Sequence, residues 1–320
     1  MELDRIYASI QGDLEKVREK LKSISRVDFP WLAEQLGLVV RGTGKGIRPA
    51  LTLLSGSFYR YDFDCLLPMA VAVELLHTAT LVHDDAIDKA SVRRGQPTIN
   101  SIWGDEIAVL MGDYLFAKAG EFASDTQSPR VIKLFSQTLA TISSGEINQF
   151  RNAFHLPQAR EDYIRRIYGK TASLFSLATQ SGAILSQAPE ESVAILKDYG
   201  DNLGIAFQIV DDILDFTSTA EAMGKPVGSD LTQGTLTLPA MMLIERYPED
   251  NPVKRLFETG DMKNIPLALE MVRNSSIVDD CYRVASEYCE RACQSLKRLP
   301  ENPRRQALID LAGYIVARSL

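Results

Sequence analysis

Two five-residue clusters, Asp84-Asp85-Ala86-Ile87-Asp88 and Asp211-Asp212-Ile213-Leu214-Asp215, repeat one Asp-Asp-x-x-Asp pattern. Residues four apart on an α-helix share a face one turn apart, so Asp84 projects beside Asp88 and Asp211 beside Asp215. Such carboxylates repel one another unless a cation lies between them. Each cluster follows a strongly apolar run, 75–82 and 203–210, and so sits where a helix ends and where negative charge opposes the helix dipole. A solvated acidic helix end is the plain reading of one cluster; two of them point to a hard divalent ion. Mg²⁺ fits best, because it is commonly held by one or two carboxylates together with waters and substrate phosphate oxygens.

Three loops marked by Gly and Pro carry further polar cargo: 42–49 with Lys45 and Arg48, 93–97 with Arg93 and Arg94, and 224–230 with Lys225 and Asp230. The chain as a whole is acidic, with 35 Lys and Arg against 42 Asp and Glu and a net charge of −7. Without a basic block it lacks the clustered positive charge that nucleic acid requires. An anionic small ligand must then be met by local cations or by metal. Cys65, Cys281, Cys289 and Cys293 form no Cys-x-x-Cys pair, which argues for structural thiols over zinc or a disulfide framework. The N-terminus has no signal-peptide core. The most apolar stretch, 65–82, is interrupted by Pro68, Glu74 and His77 and reads as no transmembrane segment, so a cytoplasmic protein is expected.

Helices must position these groups. Leu3, Ile6, Ile10, Leu14, Val17 and Leu21 recur every three or four residues, and the same period runs through 66–82, 107–122, 131–150, 163–185, 193–216, 277–296 and 307–316. Alternation of period two is sustained nowhere. No linker or repeat divides the sequence, so the expectation is an all-α, single-domain bundle of long helices over 1–320.

The segments 44–49, 77–88, 93–95, 169–171, 207–208 with 211–215, and 224–226, in that order, resemble the motif set of the trans-isoprenyl diphosphate synthases, the polyprenyl synthetase family. The resemblance implies the isoprenoid synthase type I fold around a central substrate cavity. It implies head-to-tail condensation of isopentenyl diphosphate with an allylic diphosphate (dimethylallyl, geranyl, farnesyl or geranylgeranyl). It implies that Asp84, Asp88 and Asp211, supported by Asp85, Asp212 and Asp215, hold Mg²⁺ ions that clamp the allylic diphosphate. Arg93, Lys170 and Lys225 then contact that diphosphate, while Lys45, Arg48, His77 and Arg94 form the isopentenyl diphosphate pocket. Thr171 and Gln208 match neutral polar groups near the reacting carbon, where oxygen dipoles can stabilise a cation without capturing it. The resemblance gives the final proton to the departing pyrophosphate, so no side-chain base is assigned. Family members are commonly homodimers. One departure is Thr235, where the family usually has Lys; weaker allylic binding or altered lid closure is expected.

Product length is read from the helix before Asp84. One turn rises about 5.4 Å, similar to an extended isoprene unit. Short-chain members of the family place bulky aromatics four and five residues before the first Asp; here Thr80 and Ala79 leave a tunnel open, with Leu75 and Leu76 on the next turn. Phe116 or Phe122 could form its floor. A long-chain all-trans polyprenyl diphosphate is favoured, with geranylgeranyl or farnesyl diphosphate as the alternative. A class I terpene cyclase would lack the isopentenyl pocket. A non-catalytic subunit of a heteromeric synthase would have lost its Asp motifs, and both are intact.

Overall fold

Apolar periods of three and four become helix throughout. The structure, a computed structural model, describes residues 3–41, 44–219 and 227–317. In chain order it contains α1 (Leu3–Tyr7), α2 (Gln11–Ser23), α3 (Pro30–Arg41), α4 (Ile47–Ser55), α5 (Phe63–Ile87), α6 (Ile99–Trp103), α7 (Asp105–Asp125), α8 (Pro129–Arg151) and α9 (Arg160–Ile167). A π-helical turn (Tyr168–Ala172) leads into α10 (Ser173–Leu185), α11 (Glu190–Thr217), α12 (Ser229–Thr232), α13 (Leu238–Arg246), α14 (Pro252–Thr259), α15 (Asn264–Arg273), α16 (Ile277–Leu296) and α17 (Pro303–Ala317). The β structure among the described residues is one hairpin, Val92–Arg93 with Gln96–Pro97, Val92 lying opposite Pro97. Its turn residues Arg94 and Gly95 have φ of 51° and 74°, the type I′ pattern that matches strand twist.

Two of the expected helices are broken. The N-terminal one is interrupted at Ile10, whose φ of −129° lies outside the helix, although Ile6, Ile10, Leu14, Val17 and Leu21 are all buried as the period required. The segment 163–185 is broken by the π turn. There Gly169 packs on Gly145 and on the Thr141 carbonyl of α8, at distances that a Cβ would reduce to 3.4 Å.

α5 and α11 organise the core. α5 is buried on all sides from Met69 to Leu76, the pattern of a helix apolar all round. It is long and apolar enough to cross a membrane, yet 72% of its apolar stretch is buried inside the protein; it is a core helix. α11 joins two apolar clusters. Leu196, Tyr199, Leu203 and Ala206 face one built largely on α1–α8 and α10. Ile205, Ile209, Ile213 and Phe216 face the other, with α13–α16. Cys281 and Cys289 are buried free thiols, and Cys65 and Cys293 are half-buried ones.

Glycines let these helices approach. A Cβ at Gly204 of α11 would lie 2.5 Å from Ala172 Cα in the π turn, and one at Gly200 would lie 2.8 Å from Ser176 Cα in α10. A Cβ at Gly112 of α7 would lie 2.2 Å from the His83 ring of α5. Because backbone blocks the Gly204 position, Gly204→Ala is expected to cost about 2 kcal/mol in chemical denaturation. An unchanged denaturation midpoint would show that the α11 crossing is looser than these distances imply.

Candidate active site

The first carboxylate cluster closes α5. Asp88 caps the helix, its N–H donating to the Asp84 carbonyl at 2.8 Å. Asp85 is almost fully buried and accepts from Arg93 Nε at 2.8 Å, so the hairpin is tied to the helix end. Asp88 receives a hydrogen bond from the Gln233 side chain. Burial, and repulsion from Asp84, push the carboxyls of Asp85 and Asp88 above their ordinary range. Lys170 Nζ lies 3.8 Å from Asp84 Oδ2 and 3.0 Å from Glu146 Oε1. Burial works against this ammonium, but Asp84 and Glu146 outweigh it and hold its pKa above that of a free lysine. An ammonium thus already neutralises part of the cluster.

The second cluster closes α11, and its three aspartates do different things. Asp212 is 2% exposed; its Oδ2 accepts from the Tyr163 hydroxyl and its Oδ1 from Gln208 Nε2, both at 2.8 Å. Burial pushes its pKa up to about 6. Asp215 is fully buried and accepts from Ser229 Oγ at 2.8 Å and from the Ser229 and Asp230 backbone N–H groups at 3.3 and 3.1 Å. It caps the start of α12, an engagement that the i, i+4 spacing from Asp211 did not suggest. Asp85 and Asp212 are likewise engaged with protein partners.

Among the described residues no three His, Cys, Asp or Glu side chains converge to form a complete metal cage. The aspartates at the two helix ends offer hard carboxylate oxygens, the donor chemistry that suits Mg²⁺, whose shell is commonly completed by water and phosphate oxygens. The π turn lies between the two clusters: Lys170 reaches Asp84, and the next residue, Thr171, donates from Oγ1 to Gln208 Oε1 at 2.6 Å. Consecutive inward side chains of this kind are what a π bulge supplies.

A basic group gathers beside the first cluster. Arg48, 8% exposed, lies over the Phe175 ring at 4.9 Å and the Phe207 ring at 5.9 Å, held by cation–π stacking. Arg94 extends from the hairpin turn to Gly44, where an added Cβ would be 2.9 Å from its guanidinium nitrogens. Lys45 donates to the Tyr314 hydroxyl of α17 at 2.7 Å. Burial, then the charges of Arg48, Arg94 and Arg93, hold His77 well below the usual histidine range. The ring is therefore neutral, with one nitrogen to donate and one to accept. Burial pushes the Glu74 carboxyl up, although Arg48 and Arg94 oppose this. With Arg93 paired to Asp85, Arg48 and Arg94 against the one Glu74 carboxyl leave a local positive excess suited to an anion.

Lys225, with Gly224 and Pro226, lies outside the described residues. Thr235 is buried in a turn where its N–H donates to the Asp230 carbonyl at 2.8 Å. Leu75, Leu76 and Ala79 are fully buried, and Thr80 Oγ1 donates back to the His77 carbonyl at 2.7 Å. Phe116 lies edge-on to His83, and Phe122 lies near Lys20. Glu146, Tyr163 and Gln233 complete the site, and no sequence signal had singled them out. Two surface clefts of about 450 and 510 Å³ share Arg160 and contain none of these residues.

The polyprenyl synthetase family model matches residues 29–272. The heptaprenyl diphosphate synthase component 2 of Bacillus subtilis is 36% identical over 318 residues, 99% of this chain and 91% of that protein. The geranyl-diphosphate-specific all-trans-nonaprenyl-diphosphate synthase of Rhodobacter capsulatus is 40% identical over 284 residues, 88% of this chain and 87% of that one. A polyprenyl synthase structure from Caulobacter crescentus, complexed with calcium and isoprenyl diphosphate, superposes with a TM-score of 0.95 at 31% identity, covering 100% and 98% of the two chains. With its two aspartate-closed helix ends, its basic pocket and this match over most of its length, the chain belongs to the polyprenyl synthetase family.

Proposed function

We propose that this prenyltransferase condenses isopentenyl diphosphate with an allylic diphosphate, head to tail and repeatedly, to a long-chain all-trans polyprenyl diphosphate. The whole chain acts as one synthase domain in the cytoplasm. The observation that carries this reading is the π turn, which joins Lys170 to the Asp84 cluster and Thr171 to Gln208 beside the Asp211 cluster. Cation-binding carboxylates thereby adjoin neutral oxygens, and the guanidiniums of Arg48 from α4 and Arg94 from the hairpin turn gather beside His77 and Glu74 of α5.

The residues divide the chemistry. Asp84, Asp88 and Asp211 would hold Mg²⁺, which supplies neutralisation of the charge developing on the leaving pyrophosphate. Asp85 keeps Arg93 turned toward that diphosphate, and Lys170 adds an ammonium beside Asp84. Arg48 and Arg94, with Lys45 and neutral His77, orient isopentenyl diphosphate so that its double bond meets the allylic carbon. Gln208 and Thr171 present oxygen dipoles to the allylic cation and offer it no anionic nucleophile. Lys225 is assigned to the allylic diphosphate by its motif. The growing chain runs along the α5 side that bears Thr80, Ala79, Leu76 and Leu75, where small residues nearest the metals leave it room.

A second copy of the chain is the proposed partner. Val109 and Leu110 of α7 and Ile147 and Phe150 of α8 are exposed apolar side chains, 45% to 78% accessible, on helices that form an outer face. A relative named component 2 raises the heteromeric reading. Light scattering should give twice the chain mass, with full turnover from the chain alone; a monomer that is inactive until a second polypeptide is added would establish the heteromer.

Purified protein given isopentenyl diphosphate, farnesyl diphosphate and Mg²⁺ should yield products well beyond twenty carbons by mass spectrometry. Arrest at geranylgeranyl diphosphate would move the assignment to a short-chain synthase. Asp84→Ala and Asp211→Ala should each lower turnover by several orders of magnitude with an unchanged helical circular dichroism spectrum. Near-normal turnover in either would exclude that carboxylate from the clamp. Ala79→Phe should shorten the product, and an unaltered length distribution would remove Ala79 from the tunnel wall.

A further inference from the structure

Four side chains from α9, the π turn and α11 form a hydrogen-bond chain whose direction is fixed by its members. The Asp212 carboxylate can only accept, and it does so from Tyr163 at Oδ2 and from Gln208 Nε2 at Oδ1, both at 2.8 Å. The Gln208 amide nitrogen must therefore face Asp212, which turns its carbonyl oxygen toward Thr171. A carbonyl oxygen also only accepts, so the Thr171 hydroxyl donates its hydrogen to Gln208, at 2.6 Å. The Thr171 oxygen then has lone pairs, and no hydrogen, left for the site.

We infer that Tyr163 is a positioning residue for prenyl transfer: by fixing the Asp212 carboxylate it sets the direction of the chain through Gln208 and keeps the negative end of the Thr171 hydroxyl dipole toward the allylic cation. Tyr163 itself is fully buried and touches no reacting atom. Its donation is the second anchor on the carboxylate. Without it Asp212 can rotate, the Gln208 amide loses its fixed orientation, and the Thr171 hydrogen becomes free to turn toward the cation, where it repels. The site needs this device because a lone hydroxyl is as able to donate as to accept, and only one of those orientations favours a carbocation.

The inference rests on the reading that Thr171 faces the cation, and the test separates the two. Single-turnover rates of the first condensation are measured with isopentenyl diphosphate, Mg²⁺ and geranyl or farnesyl diphosphate for Tyr163→Phe, Thr171→Val and the double variant. Tyr163→Phe removes one oxygen and no ring volume. It should lower the rate about tenfold while leaving the half-saturating concentration of each substrate within about twofold, because only the transition state carries the cation. In the Thr171→Val background the same change should have less than about a twofold effect, since the chain no longer ends in a hydroxyl. Multiplying effects, or an unchanged rate in Tyr163→Phe, would overturn the relay while leaving the role of Thr171 standing. An unchanged rate in Thr171→Val would overturn the cation-facing reading and the relay with it. If Tyr163→Phe fails to fold, the cycle is run with Gln208→Ala and Thr171→Val: non-additive losses support the chain, and multiplying losses overturn it.

Discussion

Like-charged carboxylates at the C-terminal ends of two core helices are the constraint on which the rest of the structure depends. Asp84, Asp85 and Asp88 repel one another and oppose the dipole of α5, and burial raises the cost of ionising Asp85 and Asp88. Each cluster is tolerated because its members are not equivalent. Asp85 is compensated by Arg93, Asp212 by Tyr163 and Gln208, and Asp215 by the backbone N–H groups at the start of α12. Lys170 supplies a fraction of the charge required, and Glu146 holds it within reach of Asp84.

That arrangement requires the π turn to reach the end of α5 through Lys170 and α11 through Thr171, which full-sized residues at the crossings would prevent. Gly204 brings α11 onto Ala172, the last residue of the π turn, and Gly145 and Gly169 bring α8 onto the same turn. The 2.6 Å bond between Thr171 and Gln208 follows from those contacts. Gly112 plays a comparable part on the far side of α5, admitting the ring of His83, the neighbour of Asp84. The glycines therefore act on chemistry at a distance of one helix, by setting how near the polar groups can come.

Much of this could be read from the residues. The long helices follow the apolar period closely: Ile277–Leu296 matches to the residue, and 193–216 lies inside Glu190–Thr217. The aspartate pairs, the arginines and His77 announce themselves because charge at a regular spacing beside an apolar run is chemically conspicuous. The π turn was not legible, since a bulge inside a helical period keeps the apolar face nearly in phase and only the packing of Gly145 on Gly169 forces it. The family resemblance set Asp85, Asp212 and Asp215 apart as supporting residues, but the groups that engage them were not legible either. Tyr163 meets Asp212 across 49 residues and Lys170 meets Glu146 across 24, and a single Tyr or Glu on an amphipathic helix looks like any other. The Asp215 cap was hidden for the opposite reason, because its spacing from Asp211 fitted a ligand pair so well.

The acidity of the chain takes on a different meaning once the two clusters are placed. Six aspartates make up all but one unit of the net charge of −7, so the remaining surface is close to neutral and the excess is concentrated at the two helix ends. Asp85, Asp212 and Asp215 accept hydrogen bonds from protein donors and Asp84 faces Lys170, which offsets part of that charge within the protein. Divalent ions held at these helix ends would reverse the sign of the local field, and Lys170 adds a fixed positive charge that does not depend on metal. Arg48 and Arg94 are spared that competition by their place beside His77 and Glu74, where one carboxylate faces two guanidiniums. One diphosphate can thus be held through metal and the other directly by protein. A protein with an overall negative charge can in this way hold two polyanions side by side and still give a carbocation neutral oxygens for its neighbours.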